Sequence, residues 1–223
     1  MKYMIAVPCM DTIPTTFVMS LFTMINHSAA ARLGQLELRM VQGSLIYDAR
    51  DKIAADAIAG GFDRVMWLDS DMKVDPEIMV KMAEYMDAGM EYITGLYFAR
   101  KAPYGPVLYK DLRLERDGNL QTPFADMYKN FPERSVFEIA GSGFGGVMTS
   151  VKLLDQVTQN FGLPFFPFAG FGEDLAFCWR VKQLGIPMYC DSSIEMTHVG
   201  LFDINKDIVR ALYLAQEDKH GQT

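Results

Sequence analysis

Short apolar runs alternate with amphipathic stretches through the first hundred residues, and that alternation confines the chain to few folds. Residues 3–7 form a β-prone run closed by Pro8. Residues 14–30 carry Phe17, Leu21, Met24 and Ile25 at helical spacing, and Pro14 suits a first helical turn. Residues 36–41 mix polar and apolar side chains as a half-buried strand does. Residues 48–60 bring Ile53, Ala54, Ala57 and Ile58 onto one stripe, which Gly60-Gly61 ends. A strand follows at 64–68. A helix is expected from Asp75-Pro76-Glu77, with Asp75 as N-cap, to about residue 88, and then a strand at 92–97. Strand–helix alternation predicts an α/β layer architecture with a mostly parallel sheet. Ligands in such sheets bind at the carboxyl ends of the strands.

Beyond that point the pattern changes. Residues 99–138 hold Pro103, Pro106, Pro123 and Pro132 among many charges, which reads as either a hairpin insertion or an acceptor-side loop. Residues 151–159 and 173–184 read as helices, 186–190 and 194–199 as two short strands, and the last twenty residues as an amphipathic helix with a polar tail. The glycines of 141–146 lack the βαβ context of a dinucleotide fingerprint. They suit a strand bulge or the close approach of backbone to a ligand. No internal repeat is evident.

Composition narrows the functional classes. The 223 residues suffice for one sizeable domain, and half of them are hydrophobic. The net charge of −7 gives no global attraction for nucleic acid or anionic lipid. Cys9, Cys178 and Cys190 are odd in number and form no C-x-x-C pair, as expected of reduced thiols in the cytosol. Cys9, Cys178, Trp67 and Trp179 are expected in the core. With no run of 18 apolar residues, no transmembrane helix and no stable membrane association are expected.

Three marks carry chemistry. Asp69-Ser70-Asp71 directly follows the apolar run Val65-Met66-Trp67-Leu68. Two carboxylates one residue apart repel each other unless a cation or hydrogen bonds compensate, and hard divalent cations take oxygen ligands. Alone, the motif is better explained by a strand-to-loop turn. Glu173-Asp174 lies at an expected helix start, where the helix dipole also favours acids. Thr197-His198-Val199-Gly200 supplies an imidazole near the end of the chain; alone, it is an ordinary strand-end histidine.

In this order, and with the Val7-Pro8 strand ending, the marks resemble GT-A fold glycosyltransferases of the family 2-like group, in particular small glycosyltransferases of phages and prophages. The resemblance covers roughly residues 1–200, with an acceptor-side insertion at about 99–138 and residues 201–223 as a C-terminal helix and tail. It implies one catalytic domain transferring a sugar from a nucleotide-diphosphate donor, UDP-linked by preference, to an acceptor hydroxyl. The cofactor implied is Mn²⁺ or Mg²⁺, held by Asp71 and His198, with Asp69 supporting the metal or bridging to the donor ribose beside Ser70. Pro8 and the loop through Asp11 would line the base, and Arg50 would reach the base or the diphosphate. Gly141 and Gly143 would lie beside the donor sugar. Asp174 matches the general base of inverting members, and Glu173 would contact sugar or acceptor hydroxyls. The segment Asp48-Ala49-Arg50-Asp51 departs from relatives that carry Asn after the Arg.

The acceptor is left open among a glycan, a protein and a hydroxymethylated DNA base. For the last, Arg100, Lys101, Lys110, Arg113, Arg116, Lys129 and Arg134 would supply a local anion-binding face. The compartment implied is the cytoplasm, the host's for a phage-encoded chain. A nucleotidyltransferase of similar architecture ranks lower, because Cys9-Met10-Asp11-Thr12-Ile13-Pro14 contains no Gly, Lys or Arg to cradle phosphate. A non-catalytic sugar-nucleotide-binding module is the other alternative.

Overall fold

The computed structural model describes residues 1–200 apart from Ser44, Ala102, Pro103 and Asn119, and the side chains of Asp117 and Leu120 also fall outside it. The expected C-terminal helix and tail therefore lie outside the described residues. A seven-stranded sheet is built from β1 (Lys2–Cys9), β2 (Gln35–Gln42), β3 (Arg64–Leu68), β5 (Tyr92–Leu96), β8 (Val136–Ile139), β10 (Gly146–Ser150) and β11 (Met188–Glu195). Its order is β2-β1-β3-β10-β5-β11-β8; all strands run one way except β10 and β8, so the sheet is mostly parallel.

Both faces are covered, which explains why every residue of β3 and β5 is buried. Helices α1 (Thr15–Ala30) and α3 (Ile78–Asp87) cover one face through Phe17, Leu21, Met24, Ile78, Met79 and Met82. Helices α2 (Ile46–Ala59), α4 (Val151–Phe161) and α5 (Glu173–Gln183) cover the other through Ile53, Ala57, Leu153, Val157 and Phe177. An aromatic nucleus fills this second layer. Phe165 stacks on Phe177 at 4.7 Å, Phe144 meets both edge-on, and Trp67 donates its indole N–H to Thr149 Oγ1 at 2.9 Å. Trp67 and Cys178 are buried as expected; Cys9 and Trp179 are half-buried.

Several elements differ from expectation, each for a local reason. Asp75-Pro76-Glu77 forms a turn ahead of α3: Asp75 Oδ1 accepts from Glu77 N–H at 2.8 Å, and the helix starts at Ile78. Of the two readings left open for residues 99–138, the hairpin is the one found: β6 (Leu108–Asp117) pairs with β7 (Leu120–Met127), and the short β9 (Gly141–Ser142) pairs with β6. Residues 188–195 make one strand with an irregular register, not two. Its polar centre is satisfied: Tyr85 donates to Asp191 at 2.7 Å and Ser192 donates to Pro132 O at 2.6 Å.

A two-residue ladder matters most for the site. Strand β4 (Met72–Lys73) pairs antiparallel with β12 (Thr197–His198), placing His198 opposite Met72. Val199 N–H then donates to Asp71 O at 2.7 Å, tying the late chain to the loop after β3. No helix among the described residues is long and apolar enough to cross a membrane.

Candidate functional site

At the carboxyl ends of β1 and β3 a cleft is lined by Pro8, Cys9, Met10, Gly43, Ile46, Ala49, Asp69, Ser70 and Asp71. The position is the one expected for a ligand in a sheet of this kind. Pro8 and the Asp69–Asp71 loop, apart in sequence, thus share one wall. Asp11 is exposed, and its Oδ1 accepts from the Gln42 side-chain amide at 2.8 Å.

The two carboxylates of Asp69-Ser70-Asp71 point to different partners. Asp69 Oδ1 accepts from Arg50 Nη2 at 2.8 Å. Asp71 Oδ2 accepts from Arg100 Nη1 at 2.6 Å and lies 3.3 Å from His198 Nε2. Burial pushes the Asp71 carboxyl up, but His198 and Arg100 outweigh it and hold it below the usual carboxylate range. The bond to Asp71 in turn raises His198 above an ordinary imidazole. On its other side, His198 Nδ1 is 3.1 Å from Phe98 O. A carbonyl can only accept, so Nδ1 carries a hydrogen and Nε2 is the nitrogen turned to Asp71.

That arrangement suits a divalent cation. A backbone carbonyl fixing one imidazole nitrogen while the other faces a carboxylate is how metal-binding histidines are oriented. The expected trio of Asp69, Asp71 and His198 is only partly assembled, however. Asp71 and His198 converge, whereas Asp69 is held by Arg50, and no group of three acidic, His or Cys side chains converges on a metal position among the described residues. A cation on Asp71 and His198 alone keeps most of its coordination sphere for other oxygens.

Arg50 is the centre of a charge cluster that its expected contact with base or diphosphate does not anticipate. Its side chain is 2% exposed, with Asp69 at 2.8 Å and Glu173 at 3.7 Å. Its guanidinium lies 5.1 Å from the Phe144 ring centre. Burial alone would lower its pKa; Asp69, Glu173 and Asp174 outweigh that and raise it. Arg50 lies beneath the acidic cluster rather than projecting into the cleft, because α2 turns Arg50 and Asp51 inward with its apolar stripe.

Glu173 and Asp174 form the first turn of α5, where the dipole favours acids. Asp174 Oδ1 accepts from Leu175 N–H at 2.7 Å. Burial, reinforced by the Glu173 charge, pushes its carboxyl up to about 6, with Leu175 N–H and Arg50 opposing. A carboxyl titrating there is poised to exchange a proton near neutral pH. Its position depends on the loop before α5, pinned twice. Asp51 Oδ1 accepts from Phe165 N–H at 2.7 Å, and Arg180 donates to Pro164 O and Phe166 O at 2.8 and 2.7 Å. Asp51, the departure from the family pattern, is thereby a buried staple.

Gly141 and Gly143 are not open to the cleft. Both are buried, and a Cβ on Gly143 would sit 2.1 Å from Tyr97 Oη, while one on Gly141 would meet Leu112 and Cys178. The close packing around both positions requires glycine there. Gly143→Ala is expected to cost about 2 kcal/mol by overpacking. Tyr97→Phe in the same chain removes the clashing oxygen and should restore part of the melting temperature, read by thermal denaturation. Tyr97 itself was missed by sequence reasoning. Its buried hydroxyl accepts from Gly145 N–H at 3.2 Å, its ring meets His198 edge-on at 5.9 Å, and burial with the nearby Asp69 charge raises it well above an ordinary phenol. It ends the apolar run 92–97 and carries no motif of its own.

Three of the seven residues of the expected basic face are paired. Lys110 pairs with Asp126, Arg113 with Asp111 and Glu115, and Arg100 with Asp71.

No protein-family model matches the sequence, and no curated protein does. Among solved structures, the chain is similar to the crystal structure of A197 from STIV, with a TM-score of 0.62, 18% identity, and coverage of 91% of this chain and 87% of that one. It is also similar to GalNAc-T7 with UDP, GalNAc and Mn²⁺, with a TM-score of 0.59, 8% identity, and coverage of 91% of this chain and 44% of that longer one. The mostly parallel sheet, its two covered faces and the cleft at its carboxyl edge are those of the GT-A fold.

Proposed function

We propose that the chain is a metal-dependent glycosyltransferase moving a sugar from a nucleotide-diphosphate donor, UDP-linked by preference, to an acceptor hydroxyl with inversion. The observation that carries this reading is the joining of Asp71 and His198 at the carboxyl edge of the sheet, against the cleft that begins at Pro8. The GT-A fold and the UDP and Mn²⁺ in GalNAc-T7 support the choice of donor and metal class.

In this reading the base and ribose occupy the cleft from Pro8 to Ala49, with Asp11 at its entrance and Asp69 and Ser70 toward the ribose. Asp71 and His198 hold Mn²⁺ or Mg²⁺. Bound there, the cation offsets the negative charge that develops on the leaving diphosphate. Arg50 holds Asp69 in place through its 2.8 Å contact. Asp174 takes the proton of the attacking hydroxyl, and Glu173 orients that hydroxyl or the sugar. The net charge of −7 favours a glycan or protein hydroxyl as acceptor over modified DNA.

Thermal denaturation with UDP, GDP, CMP and dTDP, each with Mn²⁺ or with chelator, tests the donor site. Ligand bound only to the folded state raises the midpoint, by about 2.7 kcal/mol at a hundred times Kd. A rise with one nucleotide that needs metal and is lost in Asp71→Ala is expected. No rise with any nucleotide would remove the reading in favour of a module that does not bind nucleotide.

A further inference from the structure

Each carboxylate of Asp69-Ser70-Asp71 carries its own arginine, and the two arginines are not equivalent. Arg50 rises from the middle of α2, is 2% exposed, and touches a second carboxylate, Glu173. Arg100 stands on irregular chain after the carboxyl end of β5, is 52% exposed, and among the described residues makes one ion pair, to Asp71 Oδ2 at 2.6 Å. Freeing Arg50 would leave Asp69 and Glu173 without the buried cation that faces them, whereas freeing Arg100 returns a guanidinium to water at little cost. Asp71 Oδ2 is also the atom that His198 Nε2 faces, so Arg100 and a cation bound by Asp71 and His198 would contend for one oxygen.

We propose that Arg100 is the exchangeable counter-ion of Asp71: it occupies the carboxylate in the metal-free protein, leaves when a divalent cation binds, and so sets the cation affinity of the site. Arg50 stays on Asp69 throughout. The inference rests on the reading of Asp71 and His198 as the cation ligands. Arg100 also lines a second cavity with Leu96, Phe98, Tyr104, Glu195 and His198, which gives the released guanidinium a place to go without disturbing the sheet.

The test is Mn²⁺ binding to the whole chain without nucleotide, by calorimetry and by the electron paramagnetic resonance signal of free Mn²⁺. Arg100→Gln is expected to tighten Kd about two- to fivefold, the upper range spanned by an exposed ion pair. Arg100→Lys should lie between that variant and the wild type. Lys101→Gln makes the same charge change one residue away, on an exposed side chain, and should leave Kd within twofold. Asp71→Asn should abolish binding.

The outcomes separate the two claims. Loss in Asp71→Asn with an unchanged Kd in Arg100→Gln overturns the exchange and leaves the metal site standing. Equal tightening in Arg100→Gln and Lys101→Gln also overturns it, because the effect is then general charge and not competition for one oxygen. Binding that survives Asp71→Asn, or no binding in the wild type, removes the metal site and the exchange with it.

Discussion

Asp174→Asn is expected to stop turnover while making the protein harder to melt at neutral pH. The carboxyl is pushed from 3.8 to about 6 chiefly by burial, so the folded protein holds its proton more tightly than the unfolded chain does. A group raised in this way lends its full stability below the unfolded pKa and loses it as pH rises through the folded value. At pH 8 the wild type therefore carries an ionised, poorly solvated carboxylate next to Glu173. Two pH units correspond to about 2.7 kcal/mol, and partial exposure reduces the usable gain to about 1–2 kcal/mol. Asn removes the penalty, so the midpoint should rise by roughly 3–6 °C at pH 8 and match the wild type near pH 4. Loss of a general base should lower kcat about 10²–10⁴-fold. In the wild type, activity should fall as pH drops through about 6, a limb the variant lacks. A variant both inactive and less stable at pH 8 would make Asp174 a structural residue.

Arg50→Gln should be among the most damaging single changes in the described chain. It leaves Asp69 and Glu173 without the cation that faces them, and Asp174 without an opposing charge. Breaking a buried pair from one side costs about 3–5 kcal/mol; Asp69 retains some solvent, so about 2–3 kcal/mol is expected, or roughly 5–10 °C in midpoint. Asp69→Asn in the same chain should recover part of the loss, because it removes one of the carboxylates left unpaired. Additive losses in the double variant would show that the 2.8 Å contact is not a working pair. Both melts are read at pH 7.5 without metal, so the outcome does not depend on the proposed chemistry.

How much of this was legible in the sequence depends on how local each cause is. Strands β1, β2 and β3 and helices α1, α2, α4 and α5 follow from apolar spacing and punctuation by Pro and Gly, and the residues found match the residues read to within a few positions. The hairpin β6–β7 was legible only as one of two readings, because its alternation is carried by Arg and Glu on the exposed side and interrupted by Pro123. Strand β11 was split because Asp191-Ser192-Ser193 reads as a turn; its partners Tyr85 and Pro132 are distant in sequence. In the site, Asp69, Asp71, Glu173, Asp174 and His198 stand out as residue types at strand and helix ends. What joins them does not. Arg50 beneath Asp69, Arg100 on Asp71, Tyr97 under Gly145 and Asp51 on Phe165 are long-range contacts set by packing, visible only once the sheet is assembled.

The central claim is that Asp71 and His198 hold the cation through which a nucleotide sugar is opened. Release of UDP from a panel of UDP-sugars, followed with and without Mn²⁺ in the wild type, Asp71→Asn and His198→Ala, tests it most directly. Release from one donor is expected to require the metal, to fall at least about a hundredfold in Asp71→Asn, and to be weakened in His198→Ala. Release that persists with chelator, or that is untouched in both variants, would contradict it.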